Sequence, residues 1–122
     1  MAGGRSPITC HVLDSSCGRP GRNVPVKLEQ LNPAANNVWT SVAYGLTDAD
    51  GRVGNLLDPS HQLVAGIYRM TFQTAEYWAA NGVKGFYPYV QIIFEVAPGA
   101  ESQHYHIPLL LSPYSYTTYR GS

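Results

Sequence analysis

Apolar and polar residues alternate along this chain in short runs, and the period of the alternation is two. Ile8 to Leu13 forms the first run, closed by Asp14-Ser15-Ser16 and Gly18. From Val24 to Leu31, Val24, Val26 and Leu28 fall on one face and Lys27 and Glu29 on the other, the pattern of a strand with one wet face. A third run, Val38 to Thr47, stops at Asp48-Ala49-Asp50-Gly51. Ile67 to Gln73 alternates again, with Tyr68, Met70 and Phe72 against Arg69, Thr71 and Gln73. Tyr89 to Val96, Gln103 to Leu111 and a tyrosine-rich tail from Tyr114 to Tyr119 complete the set. Short strands separated by turn residues predict an all-β sandwich or barrel. One segment departs from the pattern: Thr74 is an N-cap type of residue, Glu76 would sit in the first turn, and Ala75, Trp78, Ala79 and Ala80 suit a helix that Gly82 would stop. One short helix is expected there. With no repeat or linker to mark a boundary, residues 1–122 read as a single domain whose first seven residues are flexible.

Composition narrows the possible partners. Charged residues make up 13% of the chain, about half of the ~25% of an ordinary soluble domain, and the 8 Lys and Arg balance the 8 Asp and Glu. Nucleic acid and anionic membrane are bound mainly by setting cations against phosphates, so neither is an expected partner. Weak like-charge repulsion between copies favours self-association instead. No apolar run approaches the ~18 residues of a membrane span. The start lacks the apolar centre of a secretory signal, and Arg120-Gly121-Ser122 is not a Ser-Lys-Leu peroxisomal address. The chain therefore reads as intracellular with no visible targeting signal, and Cys10 and Cys17 as free thiols.

Four histidines carry the candidate chemistry. His104 and His106 stand one residue apart in an expected strand, so both side chains leave the same face. His11 lies in the first strand, with Thr9 and Leu13 as same-face neighbours and Cys10 pointing the other way. His61, in Asp58-Pro59-Ser60-His61, reads as a solvated loop residue. Two surface imidazoles on a polar strand would account for the pair. A His-x-His strand with His11 could also make a three-histidine zinc site, and metal-free acid–base chemistry suits imidazole near neutral pH. Asp48-Ala49-Asp50-Gly51 resembles part of a calcium loop but lacks its first acidic residue and closing Glu, so it reads as a plain turn. Arg52, just after it, is either a solvated strand-end cation or the positive charge facing an anionic substrate.

Several motifs together carry a family resemblance. His11-Val12-Leu13-Asp14, Thr47-Asp48-Ala49-Asp50-Gly51-Arg52, the run His104-Tyr105-His106-Ile107-Pro108-Leu109-Leu110-Leu111-Ser112-Pro113 and the terminal Tyr119-Arg120-Gly121-Ser122 look like those of the transthyretin-related 5-hydroxyisourate hydrolases, in order and at matching distances from Ile8 onward. The resemblance implies a transthyretin-like (prealbumin-like) sandwich of two four-stranded sheets with one short helix. It further implies a homotetramer, a dimer of dimers, with the active site in the channel between dimers. The reaction implied is hydrolysis of 5-hydroxyisourate, the product of urate oxidation, to 2-oxo-4-hydroxy-4-carboxy-5-ureidoimidazoline in purine catabolism. It needs no metal and no cofactor. Carried over by position, His106, aided by His11, is the general base, with His104 the alternative within the pair. Arg52 stabilises developing negative charge, and Tyr119, Arg120, Gly121 and Ser122 line the pocket. Tyr119 and Ser122 position the substrate through hydroxyls and the terminal carboxylate, while Arg120 is expected mainly to hold the tail. Cytoplasm and peroxisome are both open as compartments. The rival functions are a transthyretin-type carrier of small ligands, which expects apolar residues where His11 and His106 stand, and a zinc hydrolase on the same histidines.

Overall fold

The computed structural model describes residues 5–121. Period-two alternation is realised as two sheets packed face to face. Strands β1 (Ile8–Asp14), β2 (Arg19–Pro20), β7 (Tyr105–Ser112) and β8 (Ser115–Thr118) form one sheet in the order β2-β1-β7-β8. Strands β3 (Pro25–Asn32), β4 (Val38–Leu46), β5 (Gly66–Phe72) and β6 (Val90–Val96) form the other, in the order β4-β3-β5-β6. Inward positions of both sheets make the core: Ile8, Val12, Leu28, Met70, Phe72 and Leu109 are all fully buried. Two four-stranded sheets and one α-helix among the described residues match the sandwich that the resemblance implied. All strand pairs are antiparallel except β1 with β7, which run parallel.

The helix, α1 (Thr74–Ala80), buries Thr74, Tyr77 and Trp78. Its N-cap is Gln73 rather than Thr74, whose hydroxyl is buried inside the first turn without a hydrogen-bond partner. Gly82 ends it as expected, adopting φ +68° while Val83 N donates to Trp78 O at 2.9 Å. Two short elements escaped the periodicity. β2 is only two residues long, and the 3-10 turn Pro33–Ala35 is capped by the Asn32 side chain accepting from Ala34 N at 3.1 Å. The face of Lys27 and Glu29 is also drier than alternation suggests: Arg69 donates from both Nε and Nη2 to Glu29 Oε1, at 3.0 and 2.9 Å, while stacking on Trp39, and Lys27 reaches the other oxygen at 3.5 Å. Burying that carboxylate is tolerable because it is paired.

Two segments outside the strands are tied down by specific hydrogen bonds. Thr47 is not the last residue of β4, which ends at Leu46; its buried hydroxyl accepts from Val24 N at 2.8 Å and donates to Gly21 O at 2.7 Å. It anchors the start of a long connection, residues 47–65, that sends Val53, Leu56, Leu57 and Leu63 into the core. Of the seven residues expected to be flexible, 1–4 lie outside the described residues. Ser6 and Pro7 are fastened instead: Ser6 is buried, donates to Ile8 O at 2.5 Å and accepts from Leu57 N at 3.1 Å, and Pro7 O accepts from Tyr105 N at 2.9 Å. No helix among the described residues is long and apolar enough to cross a membrane.

Candidate active site

The outer face of β1 and β7 is the floor of the site. In their parallel register Thr9 lies opposite His106 and His11 opposite Pro108. Alternation sends Ile8, Cys10 and Val12 inward and leaves Thr9, His11 and Leu13 on the outer face, while β7 turns Tyr105 and Ile107 inward and His106 outward. His104 stands one residue before β7 rather than within it, yet shares that face: Thr9 Oγ1 is 2.9 Å from His104 Nε2 and 2.7 Å from His106 Nδ1. The His11 and His106 ring centroids are 6.5 Å apart, their planes inclined by 43°.

A turn brings the cation. Asp48 Oδ1 accepts from Asp50 N at 2.8 Å and Arg52 N at 3.1 Å, and Gly51 N donates to Asp48 O at 3.0 Å. Those backbone bonds, Arg52's first, hold the Asp48 carboxyl below its ordinary range, so its charge serves its own turn. Gly51, at φ +78°, lies so close to Val12 O that a side chain would collide with it, and Gly51 O accepts from Val12 N at 2.8 Å. Pressed onto β1 in this way, the turn makes Arg52 the bridge partner of His11. Asp50 O lies 2.9 Å from His11 Nε2. A carbonyl oxygen only accepts, so the proton of neutral His11 is on Nε2 and its free lone pair on Nδ1.

The tail closes the other side. Gly121 pairs with His106, its N donating to His106 O at 3.1 Å, and a Cβ at position 121 would stand 2.5 Å from His106 Cδ2. Any larger residue there would have to displace the His106 ring. Arg120 donates to Gln103 Oε1 at 2.8 Å and lies over the Tyr105 ring at 4.9 Å, geometry that serves anchoring of the tail. Tyr119 is exposed and borders, with His106 and Arg120, a recess of about 270 Å³. Ser122 lies outside the described residues. His61 is exposed in its turn and takes no part in this arrangement.

The electrostatics favour neutral imidazoles. Burial pushes the His106 pKa below its ordinary value, and the charges of His11, His104, Arg52 and Arg5 push the same way. His104 is lowered by burial and by Arg5, against a Ser6 main-chain hydrogen bond that favours its charged form. Cys10 is inert: burial pushes its thiol up to about 12. Neither cysteine is in a disulfide. Among the described residues no three His, Cys, Asp or Glu side chains converge as a metal ion would need. Of the residues named from the sequence, the structure brings His11, Arg52, His104, His106 and Gly121 near one another; Thr9 as a bonding partner and Arg5 as a charge acting on the pair were not among those named. The period-two spacing of Thr9 and His11 was the available signal for the first.

Comparison with known proteins agrees along the chain. The sequence profile of the HIUase/Transthyretin family matches residues 8–121. The 5-hydroxyisourate hydrolase of Mus musculus is 43% identical over 122 residues, 100% of both chains. In structure, sea bream transthyretin in complex with thyroxine superposes with a TM-score of 0.85 at 37% identity, covering 94% of each chain. The 5-hydroxyisourate hydrolase of Klebsiella pneumoniae gives 0.78 at 30% identity, covering 94% of this chain and 97% of its own. With the histidine motifs, the fold and the profile covering the same stretch, the chain belongs to the HIUase/Transthyretin family.

Proposed function

We infer that this protein is a 5-hydroxyisourate hydrolase of urate degradation. The observation that carries the reading is the convergence of His11, His106 and Arg52 on one sheet face, with Gly121 of the tail held against His106. His106 bonds Thr9 through Nδ1, which leaves Nε2 to accept a proton from water as general base. The water oxygen bonds to a ring carbonyl carbon, the C–N bond opens, and the departing nitrogen takes the proton back. The Arg52 guanidinium offers a planar fork of donors to the negative charge that develops on oxygen. His11 accepts a substrate or water proton through Nδ1, and Tyr119 and Ser122 position the ring through their hydroxyls. Arg120 and Gly121 complete the pocket wall chiefly by fixing the tail. No metal or other cofactor has a part in these steps.

The floor is open in one chain, with Arg52 exposed and the three imidazoles half-buried. A homotetramer, a dimer of dimers, would set a second floor against it and exclude water, and the balanced charge of the chain permits such contact. The compartment we assign is intracellular, cytoplasm or peroxisome. The carrier reading has one observation in its favour, the better superposition on thyroxine-bound sea bream transthyretin. An imidazole and guanidinium floor suits acid–base work better than apolar ligand storage. The test is the absorbance decay of freshly generated 5-hydroxyisourate, with and without chelator. Acceleration indifferent to chelator is expected; decay at the uncatalysed rate would favour the carrier, and loss on chelation the zinc hydrolase.

A further inference from the structure

Among the described residues, Thr9 is the one side chain that bonds both members of the His-x-His pair. A hydroxyl has a single proton and two acceptor lone pairs, so it can donate to only one of two ring nitrogens and must accept from the other. The protonation patterns of the two rings are therefore tied together through one oxygen. If Thr9 donated to His106 Nδ1, neutral His106 would carry its proton on Nε2 and would have no lone pair to offer. The opposite polarity leaves His106 Nε2 free. It is also the arrangement that survives the reaction: once His106 has taken a proton, Nδ1–H must donate, Thr9 Oγ1 must accept, and the hydroxyl proton must turn to His104 Nε2. His104 must then be neutral with its proton on Nδ1.

We propose that Thr9 and His104 are positioning residues that hold His106 in its Nδ1–H form through the chain His106 Nδ1–H to Thr9 Oγ1–H to His104 Nε2. This deepens the reading of His106 as general base and rests on it. The two histidines of the pair then have separate roles, because His106 takes the proton while His104 accepts at the far end of the chain. The burial and the Arg5 charge that lower the His104 pKa keep that acceptor lone pair available. An asymmetric, hydroxyl-linked chain of this kind orients the base as a carboxylate does in other hydrolytic sites, without bringing a negative charge next to the substrate.

The test uses the full chain and two readouts. Nitrogen-15 spectra of the histidine rings report which nitrogen of His106 carries the proton, with no substrate present, and kcat is measured on 5-hydroxyisourate. In the parent, neutral His106 should carry its proton on Nδ1. Thr9→Val keeps shape and β-branching but removes the link, so the Nδ1–H preference should vanish and kcat should fall by ~10-fold or more, part of the ~10²–10⁴ that an acid–base group supplies. Thr9→Ser should restore both. His104→Leu should lower kcat as Thr9→Val does, and the double variant should be no worse than either single one, the signature of residues acting as a unit. A proton on Nε2 in the parent would overturn the proposal, as would a Thr9→Val protein with the parent's tautomer or with kcat within twofold of it. A parent that shows the Thr9-dependent tautomer yet hydrolyses nothing would sink the base reading and leave the hydrogen-bond chain standing.

Discussion

At the scale of single residues, the outer face of β1 and β7 gives chemically similar groups different surroundings. Four histidines share one chain, yet only His106 combines a fixed Nδ1, a neighbouring His11 and the field of Arg52. His106→Asn should cut the catalysed rate by ~10²-fold or more while His104→Asn costs less, measured as kcat on protein whose assembly state matches the parent's by sedimentation. Equal losses would mean that the pair works as one group. Arg52→Lys keeps the charge but loses the planar fork, so the rate should fall by ~10-fold or more; a rate within twofold of the parent would return Arg52 to the solvent. The direction of the His106 shift sets the pH response. Because its pKa is lowered, the acid limb of the kcat/KM profile should be centred below the unperturbed ~6.5. Stability follows the same sign. Folded His104 and His106 bind fewer protons than unfolded ones, so their neutral forms favour the fold fully above ~6.5, and this is lost as pH falls through the folded values. An acid limb above ~7 would remove His106 as the base.

At the scale of elements, the site is assembled by a turn and a tail laid against two strands. Asp48 folds the turn that sets Arg52 beside His11, and Gly121 pairs the tail with His106. Chain ends are usually tolerant of truncation, so a chain ending at Thr118 distinguishes a frayed end from a working one. Hydrolysis should largely disappear while the thermal midpoint stays near the parent's, since the core residues named above all lie upstream. Gly121→Ala should do the same by a smaller change, because the new methyl needs the space of the His106 ring. Full activity in both would take the tail out of the site. The turn and strands were legible because each is announced locally: Asp-x-Asp-Gly folds on its own side-chain bonds, and alternation marks a half-buried strand. β2 was not, since two residues carry no period, and Glu29 was misread as wet because the arginine that covers it comes from β5, forty residues on.

At the scale of the whole molecule, the described residues of one chain leave this face open, with Arg52 exposed and the imidazoles half-buried. If a second dimer completes the site, specific activity should fall with dilution in step with the tetramer fraction seen by sedimentation. A monomer or dimer with full specific activity would place the whole reaction within one face. The low charge that permits assembly is a property of the entire chain, and the parallel β1–β7 pair, with Thr9 beside His106, depends on contacts almost a hundred residues apart.

The sequence by itself determined the longer strands, the short helix and the inward residues, and it singled out the histidines, the arginine and the tail as candidates for chemistry. Each of these is written in spacing along the chain, which the backbone converts directly into faces. Tertiary structure alone decided which strands became neighbours, and hence that Thr9 would stand between His104 and His106. It also decided that the Asp48 turn would hand its Asp50 carbonyl to His11, and that Gly121 would lie against the His106 ring. Alternation tells which way a side chain points but not what it meets, because the partner across a sheet is chosen by packing of the whole core rather than by local sequence.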